Sequence, residues 1–499
     1  MSSFSAISIP RHLRRMPLAV CLGIACATSA HESMSQVPEP AVHPFGSRMA
    51  MLTRLRSPEA THGPDGWLAA GAANHEFKRI GAPSGTTITV TNCNDSGAGS
   101  LRGAVSIAMS GDTIDLGSLP CSTITLETGA ITIPQNDLTL IGPGALQLAV
   151  DGGAQNSVFD RAFDHSGTGA LAINYLTITN ATYATYAPDG VARGGCIRSE
   201  GSVALLLSIV SSCRIAQGGE NIATGGGIWA STGLTLVASI VRDNVAYSPG
   251  DGGNVGGAGT FGPLTAKYST ITGNTAYYIG GLFGDSTSDP NGILIEKTTI
   301  SGNHASLIGG VALSGDNAVT VRDSTISGNR GSFVVGGIVA GAPLHLHNST
   351  VAFNEAGSTV SGTDTFDVGL VVTGPFADLQ SSIVANNRVD LSETPRDVSV
   401  TGAGFVAGNS NLVTFTDAEM PIDTIYADPL LYPLSVNNGF TRTHALMDTS
   451  PAIDAGNNTA ALAYDQRLMP RVVGANADIG AFERQGPGDS DYIFVDGFD

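Results

Sequence analysis

An all-β fold, a single-stranded right-handed parallel β-helix with a short N-terminal capping helix, is what this sequence predicts, on three observations. The first is a recurring phrase in which a small hydroxylic residue and an aliphatic one lead to an Asn. Examples are Ser239-Ile240-Val241-Arg242-Asp243-Asn244 and Ser324-Thr325-Ile326-Ser327-Gly328-Asn329. The phrase closes at Ala181, Cys213, Asn244, Asn274, Asn303, Asn329, Asn354 and Asn387, which by subtraction are 32, 31, 30, 29, 26, 25 and 33 residues apart. A self-similar period in that range marks stacked units.

The second observation is the apolar pattern inside each copy. Leu234, Leu236 and Val241 stand ten, eight and three places before the close of one copy; Val319, Val321 and Ile326 do so in another, and Leu344, Leu346 and Val351 in a third. Alternation of that kind belongs to a strand with one buried face. The third is a Gly pair after most phrases: Gly194-Gly195, Gly226-Gly227, Gly256-Gly257, Gly280-Gly281, Gly309-Gly310 and Gly336-Gly337. Glycine permits sharp corners and close backbone approach. A unit this small cannot close a core alone, but stacked on copies of itself it can.

Each element follows in chain order. Arg11, His12, Arg14 and Arg15 precede an apolar run from Met16 to Ala27 and a small-residue stretch, Thr28-Ser29-Ala30. Residues 1–30 therefore read as a secretory signal peptide. Its apolar run is too short for a retained span, so no transmembrane segment is expected. Residues 31–84, with scattered Pro and no periodicity, read as a disordered leader or linker. The β-helix is expected over 85–484, as N-terminal capping coils at 85–165, regular repeats at 166–390 and a closing region at 391–484. Within the first of these, Ser100 is an N-cap and Leu101, Ala104, Val105 and Ala108 share one helical face, as suits a cap over an open solenoid end. An acidic tail occupies 485–499.

Asn244, Asn274, Asn303, Asn329, Asn354 and Asn387 are read as a structural ladder along the axis. The other reading, a row of ligand-binding amides, has against it that a polar turn residue beside Gly has a local backbone explanation. Ser208, Ser239, Ser269, Thr298, Ser324, Ser349 and Ser382, five places before the close of most copies, are small enough for closely stacked coils. Four cysteines remain after signal cleavage, and Cys93 with Cys121 and Cys196 with Cys213 are the expected disulfides, although three pairings are open. A zinc site is the rival use, but there is no CxxC spacing.

Composition bounds the partners. With 24 basic and 43 acidic residues the formal charge is -19, which repels a phosphate backbone and argues against nucleic acid. Aromatic residues make up 6% and charged residues 13%, as suits a thin, turn-rich solenoid.

The chain resembles a family at several places. Asn92-Cys93, Ser96 to Arg102, Leu140-Ile141-Gly142-Pro143-Gly144 and the serial Thr-Ile-Ser-Gly-Asn phrases are followed by Ser450-Pro451-Ala452-Ile453-Asp454-Ala455-Gly456, Asp465-Gln466-Arg467 and Asp478-Ile479-Gly480-Ala481-Phe482-Glu483. Over roughly residues 86 to 484 these are similar to bacterial choice-of-anchor Q domain proteins. The resemblance implies an exported β-helix of a Gram-negative bacterium, related in fold to pectin lyases and in repeat style to chlamydial polymorphic outer-membrane proteins. It carries no catalytic residues, and no cofactor or metal is expected.

Outward positions are the candidate sites. Val237, Lys267, Glu296, Arg322 and His347 form one expected column, and Ala238, Tyr268, Lys297, Asp323 and Asn348 another. Their interleaved charges read as a solvated ladder. The catalytic reading of the same residues has Arg322 or Lys297 as base, with Glu296 and Asp323 holding a cation. His345 and His347 face outward together but show no third ligand, so they read as surface histidines. Asp285, Asp289 and Asn291 read as a turn rather than a calcium loop. Tyr247, Tyr277, Tyr278 and Phe333 are either a sugar platform or, more economically, an inward stack.

The expected protein is a secreted or outer-surface monomer acting as a scaffold for adhesion or glycan interaction, its partner a polysaccharide or a host or cell-surface glycan. A polysaccharide lyase or glycoside hydrolase is the alternative, and a structural envelope or matrix protein the third reading.

Overall fold

Residues 85–153, 160–184, 190–216, 222–247, 253–287, 292–357, 368–389, 396–401, 404–486 and 489 are described by a computed structural model. The expected signal peptide, the leader 31–84 and nearly all of the tail 485–499 lie outside the described residues.

One coil illustrates the winding. Val319–Arg322 lies in a first sheet, Thr325–Ser327 in a second, Arg330–Gly331 in a short fourth and Ile338–Ala340 in a third, before Leu344–His347 returns to the first sheet one rung further on. Every rung pairs in parallel with the next. The first and second sheets each have twelve strands and the third has ten. The chain is a right-handed parallel β-helix. The alternating aliphatics point in, so Ile293, Ile295, Val319, Val321, Leu344 and Leu346 are all buried in one continuous core.

The turn from the first sheet to the second is a single residue in the left-handed region. Ala238 (φ 46°), Tyr268 (53°), Lys297 (50°), Asp323 (45°) and Asn348 (45°) all occupy it. These are the residues expected to form the second solvated column, and that expectation is corrected here. They are corners, and Ala238, Lys297, Asp323 and Asn348 are buried.

The helix Leu101–Ile107 caps the first coils. Ser100 accepts from the Gly103 N–H, and Leu101, Ala104 and Val105 are buried against the core. Disulfides join Cys93 to Cys121 and Cys196 to Cys213, with Cα separations of 6.4 and 5.4 Å.

Two hydrogen-bonded ladders run along the axis. Each Asn side chain donates from Nδ2 to Oδ1 of the Asn on the next coil at 2.8–2.9 Å, from Asn244 through Asn274, Asn303, Asn329 and Asn354 to Asn387. The ladder starts at the Cys196–Cys213 disulfide, where the Cys213 N–H donates to Asn244 Oδ1. It ends on buried Asp397, whose Oδ1 accepts from both Asn387 N and Nδ2 and whose Oδ2 accepts from the N–H groups of Thr414 and Phe415. The small hydroxyls form the second ladder: Thr298 N donates to Ser324 Oγ and Ser324 N to Ser349 Oγ, each at 3.2 Å. The Gly pairs leave room for this stacking, since a Cβ on Gly310 would stand 2.4 Å from Gly337 O on the next coil.

The C-terminal segment does more than close the end. Ala418 and Met420 pack on the main core. Beyond them the chain folds back over the outer face of the second sheet, where Leu431, Leu446, Ile479 and Phe482 bury Ile383 and Leu412. Thr299 Oγ1 donates to Arg442 O at 2.6 Å and Thr325 Oγ1 to Gln466 Oε1 at 2.7 Å. His444 Nδ1 lies 2.7 Å from Tyr432 O, so that nitrogen carries the hydrogen and Nε2 accepts from Ser327 Oγ at 2.7 Å.

Burial lowers the His444 pKa to about 4. An unfolded His titrates near 6.5, so this group favours the folded state above that value and loses the contribution as pH falls toward 4. Glu483, which burial pushes up to about 7, works in the opposite sense. A comparison of wild type with His444→Gln isolates the imidazole. The stability advantage of wild type over the variant is expected to shrink by about 3 kcal/mol between neutral pH and pH 4. Urea melts at both pH values check this, and a pH-independent difference contradicts it.

Candidate functional site on the outer face of the first sheet

The strand Leu344–His347 turns Leu344 and Leu346 inward and His345 and His347 outward. The next rung, Phe376–Gln380, buries Ala377 and Leu379 and turns Phe376, Asp378 and Gln380 outward. The register pairs His345 with Asp378 and His347 with Gln380.

Asp378 Oδ2 consequently stands 3.3 Å from His345 Nδ1 and 3.1 Å from His347 Nε2. Gln380 Nε2 donates to both oxygens of the same carboxylate, at 3.2 and 3.0 Å. The Gln380 carbonyl oxygen accepts in turn from Thr459 Oγ1, so the C-terminal segment steadies the carboxylate from outside the sheet. Burial opposes the charged form of Asp378, but the hydrogen bonds from His347 and His345 together outweigh it and hold the carboxyl below the usual range.

His345 and His347 do lie on the surface, but the expectation that no third group stands beside them is corrected by this geometry. The third group comes from the following coil, not from the same strand. The repeat holds the signal that finds it: Asn354 and Asn387 are 33 residues apart by subtraction, and 33 residues beyond His345 is Asp378.

The rest of the face carries charge and aromatic surface. Glu296 bridges Lys267 at 3.1 Å and Arg322 at 2.9 Å, and Arg322 precedes His347 in the same column. Phe376 and Phe405 stack on consecutive rungs with centroids 5.9 Å apart and rings inclined by 29°. Phe405 is 58% exposed, and His345 lies edge-on to Phe376 at 5.8 Å.

Other expected sites are placed differently. Lys297 and Asp323 are ion-paired at 2.6 Å beneath the C-terminal segment, where Lys297 Nζ also donates to Tyr464 O and Asp465 O. A base and a cation ligand at those positions are thereby excluded from reaching a polymer. Asp285 Oδ1 accepts from Thr287 N and Oγ1 and so makes a turn; Asp289 and Asn291 lie outside the described residues.

Tyr278 packs, with Leu307 and Val334, on an apolar layer outside the third sheet, so the inward stack is also corrected. The bridges Ile279–Ile308–Val335 show that an additional residue in the last of these coils puts Val334, not Phe333, in register with Tyr278. Tyr247 is 51% exposed, with the Arg214 guanidinium 5.9 Å from its ring centroid. Trp229, Phe261 and Phe283 cluster on the outer side of the third sheet, with Trp229 and Phe283 stacked across Gly259. Single aromatics on separate coils carry no such signal in a linear reading.

No family model and no curated protein matches the chain. Among solved structures, a crystal structure of pectate lyase Pel9A is similar over 80% of this chain and 96% of that chain, with 14% identity and a TM-score of 0.42. No residue role and no activity is taken from that likeness. Among the described residues, no helix is long and apolar enough to cross a membrane.

Proposed function

We propose that the protein is an exported, cell-surface scaffold that binds a polysaccharide along the outer face of its first sheet. The observation that carries the reading is the Phe376–Phe405 stack, an apolar ledge on successive rungs beside Asp378, His345 and Gln380. Flat apolar rings next to hydrogen-bonding groups suit a sugar, which offers C–H faces and hydroxyl edges. Two disulfides fit an oxidising compartment. The signal-like residues 1–30, the tail 485–499 as an attachment segment and membership of the choice-of-anchor Q group belong to the same proposal.

A glycan array probed with the wild type and with a Phe376→Ala, Phe405→Ala double variant tests it. Retention on at least one polysaccharide is expected, weakened about tenfold or more in the variant. Equal retention by both proteins, or none by either, overturns the reading. New unsaturated or reducing ends in the bound polymer would identify a lyase or a hydrolase instead.

A further inference from the structure

We propose that His345, His347 and Asp378 bind a divalent transition-metal ion of the zinc class through His345 Nδ1, His347 Nε2 and Asp378 Oδ2, leaving the outward coordination positions open. The inference goes beyond the glycan-binding reading and does not depend on it.

Geometry is the first argument. The three donor atoms lie within 4.8 Å of one another. Bonds of about 2.0–2.2 Å at tetrahedral angles separate neighbouring ligand atoms by about 3.3–3.5 Å. Asp378 Oδ2 already stands 3.3 and 3.1 Å from the two nitrogens, so an ion needs only small side-chain rotations to enter.

Convergence is the second. Both imidazoles and the Gln380 amide approach one carboxylate oxygen, Oδ2, while Oδ1 receives only Gln380. Ligands of one ion must point at a common place, and these three donor atoms do.

The supports are rigid. The donors project from two register-paired strands rather than from loops, and Gln380, held by Thr459, orients the carboxylate from the second layer. The nearest cation in the column, Arg322, is already engaged by Glu296 at 2.9 Å, which tempers its repulsion of an incoming ion. Two imidazoles and one carboxylate favour zinc and its neighbours over calcium or magnesium, which prefer all-oxygen sites. With three protein ligands and a face open to solvent, the remaining position would hold water or an oxyanion such as a sugar carboxylate.

The test is calorimetric titration of the chelator-treated full chain with Zn²⁺ alone, repeated on His345→Ala, His347→Ala and on Asp378→Asn, each verified as folded by circular dichroism. One saturable ion per chain is expected, lost in the double His variant and weakened at least about tenfold in Asp378→Asn. Cobalt(II) added to the wild type should give the visible absorption of a tetrahedral site, absent from the double variant. Absence of saturable binding, or a titration that is the same in the double variant, overturns the proposal. Glycan retention measured with and without chelator on the same preparations separates its failure from that of the scaffold reading.

Discussion

Asp323→Ala is expected to lower the unfolding free energy by about 3–5 kcal/mol, the usual cost of leaving buried charge uncompensated. The Asp323 side chain is fully buried, 2.6 Å from Lys297 Nζ and 4.0 Å from Arg471 Nη1. Removing it strands two cations where water cannot reach. Lys297 keeps the Tyr464 and Asp465 carbonyls, which moderates its share, but Arg471 Nη1 and Nε already lack a hydrogen-bond acceptor. The relief available to the variant is to lift the C-terminal segment off the second sheet. Hydrogen exchange should therefore rise first over residues 441–483, ahead of the coils beneath. A melting curve and an exchange pattern like those of wild type would show that the pair does not fasten the segment.

Asn303→Ala is expected to cost about 3 kcal/mol, because one truncation strands several buried partners. Asn303 Oδ1 accepts from Asn274 N at 3.0 Å and Nδ2 at 2.9 Å. Its own Nδ2 donates to Ile271 O at 3.0 Å and Asn329 Oδ1 at 2.9 Å. Ser324 supplies the internal comparison, since its hydroxyl makes only the bonds to Thr298 N and Arg322 O. Denaturant melts should rank Asn303→Ala as clearly more damaging than Ser324→Ala. The reverse order would mean that the amide ladder is slack.

The winding was legible because it is local: aliphatics two apart, a turn Asn and a Gly pair recur within each coil, and stacking needs nothing more. The corners were less so. Lys297 and Asp323 read as a solvated pair since nothing near them announces the segment that covers them, and Lys297 meets Asp465 across 168 residues. Asp397 was missed for a related reason. It takes the last place on the Asn ladder but lies only 10 residues after Asn387, outside the repeat spacing. Asp378 stands one coil on from His345, so a reading confined to one strand does not reach it.

The fold-back also orders events in time. Coils can stack as they leave the ribosome, each one templating the next, but the flank at Thr299 and Thr325 waits for residues made after all of them. Until those arrive, Ile383 and Leu412 are uncovered and Lys297 and Asp323 face solvent without their roof. A nascent chain halted before Leu431 thus leaves an apolar strip along the second sheet, which the later residues cover.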